Sequence, residues 1–129
     1  PVIAAAAASP AVERHAGALL IVETDPHMRQ MLRGFFSDVW KPVLTTGNAM
    51  EALQIAGATG QVISMLITDT TPSGLTYDAL IARLRALHPG MQVVLMAPED
   101  FTAEPEGCVV MREPLSLDAL AEEVRARLS

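Results

Sequence analysis

The stretch MLITDTTPSG, from Met65 to Gly74, is an apolar run that stops at a single acid, Asp69, and continues as a loop of small and polar residues. A short apolar run bounded by turn residues is typical of a strand that is covered on both faces. Asp69 then stands at the end of that strand, where it either caps the following turn or serves as a reactive carboxylate. A carboxylate in such a position can accept a phosphoryl group and form an acyl phosphate.

Short apolar runs and helical periodicity alternate along the rest of the chain. The predicted strands are ALLIV (18–22), PVLTT (42–46), VISMLIT (62–68), MQVVLMA (91–97) and CVVM (108–111). The predicted helices are a first one from an N-cap at Asp25 to about Val39, AMEALQIAG ending near Gly57 or Gly60, YDALIARLRALHPG, and SLDALAEEVRARLS. This alternation predicts an α/β fold, a doubly wound sheet of five parallel strands with helices on both faces.

Composition narrows the functional classes. A chain of 129 residues suits one domain, which we place at 18–129, after a linker at 1–17 that is rich in Ala, Pro and Ser. The net charge of -6 and the lack of a basic cluster argue against nucleic acid, and no apolar run is long enough to span a membrane. The single cysteine, Cys108, excludes an internal disulfide and favours a reducing, cytoplasmic location.

Acidic side chains follow two strands that we expect to be neighbours. Glu23 and Asp25 come after the first strand, and Asp69 ends the third. The carboxyl ends of parallel strands meet at one edge of the sheet, so these acids are predicted to gather there. Their oxygens are ligands that Mg²⁺ prefers. For Asp25 a simple role as helix N-cap before Pro26 remains open.

Five segments in order resemble one known family. They are LLIVETDPHMRQML, VLTTGNAMEAL, MLITDTTPSG, LIARLRALHPGMQVVLMA and VVMREPLSLDALAEEVRARL, which together span Ala18 to Leu128. They are similar to the receiver domain of bacterial two-component signalling, which has a flavodoxin-like fold. The resemblance implies that Asp69 is the phosphoacceptor, that a histidine kinase or phosphotransfer domain is the donor, and that Mg²⁺ is held by Glu23, Asp69 and Thr71, with Asp25 as a further candidate.

The sequence departs from the family at several site positions. Thr24 stands at the second acidic position, Met96 at the switch Thr or Ser, Val110 at the switch aromatic, and Glu113 at the site lysine. The segment PEDFTAEPEG (98–107) is short and contains two prolines, so the fourth helix of the family is expected to be stunted or absent. The resemblance therefore implies a depleted site with weakened Mg²⁺ binding.

Four alternatives stay open at this point. The chain is either a phosphoacceptor or a pseudo-receiver, whose helix faces hold a protein partner or a second copy without phosphate. Glu113 with Glu23 and Asp69 could instead form a cation site without phosphoryl chemistry. A flavodoxin-like small-molecule site ranks lower, because no Gly-rich phosphate loop follows the first strand.

The segment before the domain suggests what kind of larger protein contains it. The Ala- and Pro-rich start favours a module at the carboxyl end of a larger protein, for which a hybrid sensor histidine kinase is the predicted parent. No stand-alone enzyme activity is expected beyond acceptance of a phosphoryl group and its hydrolysis. His88 precedes Pro89 at the end of the third helix, where a cation suits the helix dipole.

Overall fold

The computed structural model describes residues 17–128. Its strands and helices are β1 (Ala18–Val22), α1 (Pro26–Phe36), β2 (Val43–Thr46), α2 (Ala49–Ala58), β3 (Ile63–Asp69), α3 (Tyr77–Leu87), β4 (Gln92–Ala97), β5 (Cys108–Arg112) and α4 (Leu117–Leu128). The predicted linker, apart from Gly17, lies outside the described residues. No helix within 17–128 is long and apolar enough to cross a membrane.

The five strands form one sheet in the order β2-β1-β3-β4-β5, and every neighbouring pair is parallel. Each strand except β4 is followed by a helix, and β4 is followed by the connection 98–107, which contains no helix. The predicted doubly wound, five-stranded sheet is therefore confirmed, as is the missing fourth helix of the receiver pattern.

Hydrophobic cores cover both faces of the sheet. Leu20 and Val22 of β1 pack with α2 and α3 on one face, whereas Leu19 and Ile21 pack with α1 and α4 on the other. Successive side chains of a strand point to opposite faces, so a strand with two covered faces must be apolar at every position. This explains why ALLIV shows no alternation of apolar and polar residues.

Helix α1 begins as predicted and ends earlier. The Asp25 side chain accepts a hydrogen bond from the His27 N–H at 2.9 Å, and Pro26 occupies the first turn. The helix ends at Phe36 rather than near Val39, and the chain continues as a turn in which the Val39 and Trp40 N–H groups both donate to the Phe36 carbonyl. Buried Trp40 is held by this turn, and its Nε1–H donates to the carbonyl of Gly17 at 3.0 Å.

The connection 98–107 replaces the missing helix with specific contacts. The rings of Tyr77 and Phe101 pack edge to face with centroids 5.8 Å apart. Arg112 donates to the Phe101 carbonyl at 2.8 Å, and Arg85 donates to the Gly107 carbonyl at 2.8 Å. These contacts fix the connection against α3 and β5 without a helix of its own.

His88 joins two elements through its ring. Nδ1 accepts a hydrogen bond from the Ile63 N–H at 3.0 Å, and Nε2 lies 3.0 Å from the Ala56 carbonyl. The ring therefore ties the start of β3 to the end of α2.

We predict that His88→Ala destabilises the fold. The change leaves the Ile63 N–H and the Ala56 carbonyl without these hydrogen-bond partners. Leaving buried polar groups without a partner lowers the free energy of unfolding by about 1–3 kcal/mol. Urea unfolding measures the loss, with Arg83→Ala on the exposed face of the same helix as the control. A loss no larger than that of the control would contradict the assigned bonds.

Candidate functional site

The parallel pairing of β1 with β3 sets the position of the site. Val22 of β1 lies opposite Thr68 of β3, so the residues that follow them, Glu23 and Asp69, meet at the carboxyl edge of the sheet. Strand β2 flanks β1 on one side and β3 flanks it on the other, so the strand order reverses here. In open α/β sheets, ligands bind at such a switch point.

A cavity of about 310 Å³ opens at this edge. Its lining residues are Glu23, Asp25, Met28, Asp69, Thr70, Thr71, Met96, Ala97, Pro98, Met111, Glu113 and Leu115. Four of these carry carboxyl groups and none is Lys or Arg. The cavity therefore combines a strongly acidic side with a wall of methionine and other apolar side chains.

Asp69 uses its two oxygens differently. Oδ2 accepts a hydrogen bond from the main-chain N–H of Thr24 at 3.1 Å. Oδ1 is buried and has no hydrogen-bond partner among the described residues. The Thr24 hydroxyl donates to the Thr71 carbonyl at 3.3 Å. Thr24 therefore contributes to the site mainly through its backbone, which any residue type could supply.

Glu23 is a buried carboxyl beside a second carboxyl. The residue is 8% exposed, and its Oε2 accepts the Asp25 N–H at 2.9 Å. Burial raises the pKa of Glu23 from its ordinary value of 4.5 to about 7. The Asp25 N–H opposes this rise, whereas the charge of Asp69 and a hydrogen bond with it add to the rise. Near neutral pH, Glu23 is therefore partly protonated.

The structure brings together most of the residues that the sequence singled out. Glu23, Asp25, Asp69, Thr71, Met96 and Glu113 all line the cavity. Thr24 reaches Asp69 through its N–H. Val110 does not line the cavity; it is half-buried on β5, where it pairs with Leu95.

The side chains that line the cavity offer few ligands to a metal ion. Within 17–128, no group of three or more His, Cys, Asp or Glu side chains is arranged so that it could hold a metal ion. The three-carboxylate site of Glu23, Asp69 and Glu113 is thus not assembled. A buried oxygen without a donor, Asp69 Oδ1, nevertheless fits a cation, and Mg²⁺ often uses only one or two carboxylates and keeps several waters.

Two residues near the site carry no sequence signal. Arg29 donates from Nη1 to the main-chain oxygen of Glu23 at 2.8 Å, and its guanidinium lies against Gly47. Arg29 looks like an ordinary polar position of an amphipathic helix, and Gly47 looks like an ordinary turn residue. Only the folded chain brings the two together, so local sequence patterns could not have found them.

We predict that Glu23→Gln removes a pH-dependent loss of stability. A raised pKa means that the carboxyl contributes fully to stability below about pH 4.5 and loses that contribution as the pH rises through about 7. Gln keeps an acceptor for the Asp25 N–H without a charge. At about pH 8 the free energy of unfolding of the variant should therefore be roughly 1–3 kcal/mol higher than that of the parent chain. This difference should shrink towards about pH 5.

Urea unfolding at several pH values, in the presence of a chelator, measures this difference. Glu122→Gln, which changes an exposed carboxyl on α4, is the matched control and should differ from the parent by less than about 0.5 kcal/mol. A Glu23→Gln difference that does not vary with pH would contradict the raised pKa.

Comparison with known proteins gives structural matches alone, because no family model and no curated protein matches the sequence. The receiver domain of the hybrid histidine kinase CckA is 24% identical with a TM-score of 0.75, and the match covers 88% of this chain and 100% of that one. A response regulator receiver domain protein from Clostridium thermocellum is 19% identical with a TM-score of 0.75, over 87% and 94% of the two chains. A response regulator receiver protein from Sinorhizobium medicae is 15% identical with a TM-score of 0.75, over 88% and 94%. The chain therefore has the fold of the response regulator receiver domains.

Proposed function

We propose that the chain is a receiver domain of a two-component phosphorelay in which Asp69 accepts a phosphoryl group from a phosphohistidine. The donor is a histidine kinase or a phosphotransfer domain in the cytoplasm, and a hybrid sensor kinase is the proposed parent. One observation carries the proposal: Asp69 and Glu23 end two adjacent strands at the switch point and line one open cavity. The receiver fold supports this choice among the chemistries that a paired carboxylate could perform.

The reaction forms one bond and breaks one. An oxygen of Asp69 attacks phosphorus, and the bond from phosphorus to the donor imidazole nitrogen breaks. The imidazole leaves with the electron pair and takes a proton from solvent, and Asp69 becomes an acyl phosphate. We assign the attack to Oδ2 and the cation to Oδ1, which has no hydrogen-bond partner among the described residues. The Thr24 N–H on Oδ2 holds the carboxylate in one orientation, and the second lone pair of Oδ2 stays available for attack.

Mg²⁺ fits this site with a reduced set of ligands. Glu23, Asp69 and the Thr71 carbonyl would hold it, with Asp25 at the rim, and Asp69 Oδ1 is the oxygen that most lacks a partner. The bound cation would neutralise charge as two anions approach each other. Glu23 must be ionised to take part, so its raised pKa makes binding weaker as the pH falls below about 7.

The cavity lacks the positive charge that phosphoryl transfer needs. Glu113 lines it where the family has a lysine, and Met96 offers a thioether where the family has a hydroxyl. One missing contact to developing charge typically costs about 2.7–4 kcal/mol of transition-state stabilisation. We therefore expect phosphorylation to be slower by orders of magnitude than in a complete site, although the costs need not add.

The acidic lining of the cavity favours a second candidate function. A cavity with four carboxyl groups and no cation in its lining is poorly suited to an anion. A pseudo-receiver would keep the fold and use its helix faces to bind a protein partner, or a second copy, independently of phosphate. Val110 and Met96 favour it too, because neither has the aromatic ring or hydroxyl of the family's switch.

We predict that acetyl phosphate with Mg²⁺ modifies the chain slowly at Asp69. Intact-mass spectrometry over hours should show one phosphoryl adduct on the parent chain, and none on Asp69→Asn. The adduct should also be absent when a chelator removes Mg²⁺. A folded parent chain that gains no adduct from acetyl phosphate or from a panel of phosphorylated kinases would favour the pseudo-receiver.

We predict that Glu113→Lys speeds this modification by about 10- to 100-fold, because it replaces a negative charge at the cavity by a positive one. The same mass assay gives the rate constant. Glu122→Lys makes the same change of charge on the exposed side of α4 and should alter the rate by less than about 3-fold. Equal rates for the two variants would show that charge at position 113 does not limit the reaction.

A further inference from the structure

Arg29 ties helix α1 to the turn that forms the site. Its Nη1 donates to the main-chain oxygen of Glu23 at 2.8 Å. The half-buried guanidinium lies against Gly47, where an added β-carbon would overlap Nη1 and come within 3.4 Å of the same Glu23 oxygen. Gly47 does not have a positive φ, so its backbone conformation does not require glycine. What requires glycine there is the space that Arg29 occupies.

The oxygen that Arg29 holds belongs to the peptide group that contacts the acceptor. The Glu23 carbonyl and the Thr24 N–H are part of one planar unit and point in opposite directions. Fixing the carbonyl therefore fixes the direction of the N–H, which donates to Asp69 Oδ2 at 3.1 Å. The Glu23 N–H, which belongs to the preceding peptide group, is anchored separately on the Thr46 carbonyl at 3.0 Å, so the chain is held on both sides of the Glu23 α-carbon.

We propose that Arg29 is a positioning residue: it holds the Glu23–Thr24 peptide plane so that the Thr24 N–H fixes the orientation of the Asp69 carboxylate for attack. Gly47 makes this possible because it leaves room for the guanidinium. The role in the reaction rests on the proposed function, whereas the role in orienting the peptide does not. A residue that only stabilised the fold would change neither the Thr24 N–H nor the reaction rate at equal stability.

The amide proton of Thr24 reports the positioning directly. A hydrogen bond to a carboxylate moves an amide proton resonance downfield, and Asp69→Asn supplies the reference without that charge. In ¹H–¹⁵N spectra, Arg29→Ala should move the Thr24 proton upfield towards that reference. Arg33→Ala, which removes an exposed arginine from the same helix, should leave it unchanged.

Gly47→Ala tests the same contact from the other side. In the parent chain it should displace the guanidinium and reproduce the Thr24 shift of Arg29→Ala. In an Arg29→Ala background the guanidinium is gone and the Glu23 oxygen lies at an ordinary contact distance of 3.4 Å, so Gly47→Ala should add no further shift. Additive shifts in the double variant would overturn the idea that the two residues act through one contact.

The reaction readout uses acetyl phosphate and Mg²⁺ with intact-mass detection. Arg29→Ala should lower the rate constant by roughly 10-fold, because the acceptor loses its fixed orientation. Arg29→Lys, which keeps one donor, should recover the rate to within about 3-fold of the parent. Arg33→Ala should react at the parent rate, as should His88→Ala measured well below its unfolding midpoint.

The two readouts separate the failure of this inference from that of the proposed function. If the parent chain takes no phosphoryl group, the proposed function fails, and the Thr24 shifts alone then decide the positioning role. If the parent is modified but Arg29→Ala matches Arg33→Ala in rate and in Thr24 shift, the positioning role is overturned while the phosphoacceptor remains.

Discussion

The parallel pairing of β1 with β3 is the constraint on which the site depends. It places Val22 opposite Thr68, and so it brings Glu23 level with Asp69 at the carboxyl edge. A slip of one residue would turn every side chain of β1 to the other face of the sheet. Both faces are covered by helices and the strand is fully buried, so packing on two sides holds this register. The core of the domain therefore fixes the geometry of its acidic edge.

Backbone N–H groups donate the hydrogen bonds that the carboxyls of Glu23 and Asp69 accept at this edge of the sheet. Glu23 is buried and lies beside a second carboxyl, which raises its pKa to about 7. The Asp25 N–H bonds to Glu23 and the Thr24 N–H bonds to Asp69, so the turn after β1 offsets part of the cost of bringing these acids together. Such contacts do not depend on side-chain type. Thr24 therefore takes part in the turn without a charged side chain.

Much of the fold could be predicted from the sequence, and less of the site. Strands such as ALLIV are apolar throughout because both faces are covered, and that pattern is local. The end of α1 was misplaced because a long-range contact of Trp40 with Gly17 accompanies the turn after Phe36. The contacts of His88 could not be predicted for the same kind of reason, since its ring meets Ile63 and Ala56 from other elements. Arg29 and Gly47 lie far apart in sequence, and no periodicity or motif links them.

We propose that Asp69, oriented by the turn after β1, can hold a phosphoryl group despite the acidic cavity. Fluorine NMR with beryllofluoride, a non-transferable mimic of the phosphoryl group, is the first test, because binding of the mimic requires neither a phosphoryl donor nor a measurable reaction rate. We expect protein-bound fluorine resonances that need Mg²⁺, are absent in Asp69→Asn and strengthen in Glu113→Lys. A folded chain that shows no bound fluorine signal, even as Glu113→Lys and with saturating Mg²⁺, would contradict it and leave the helix faces as the functional surface.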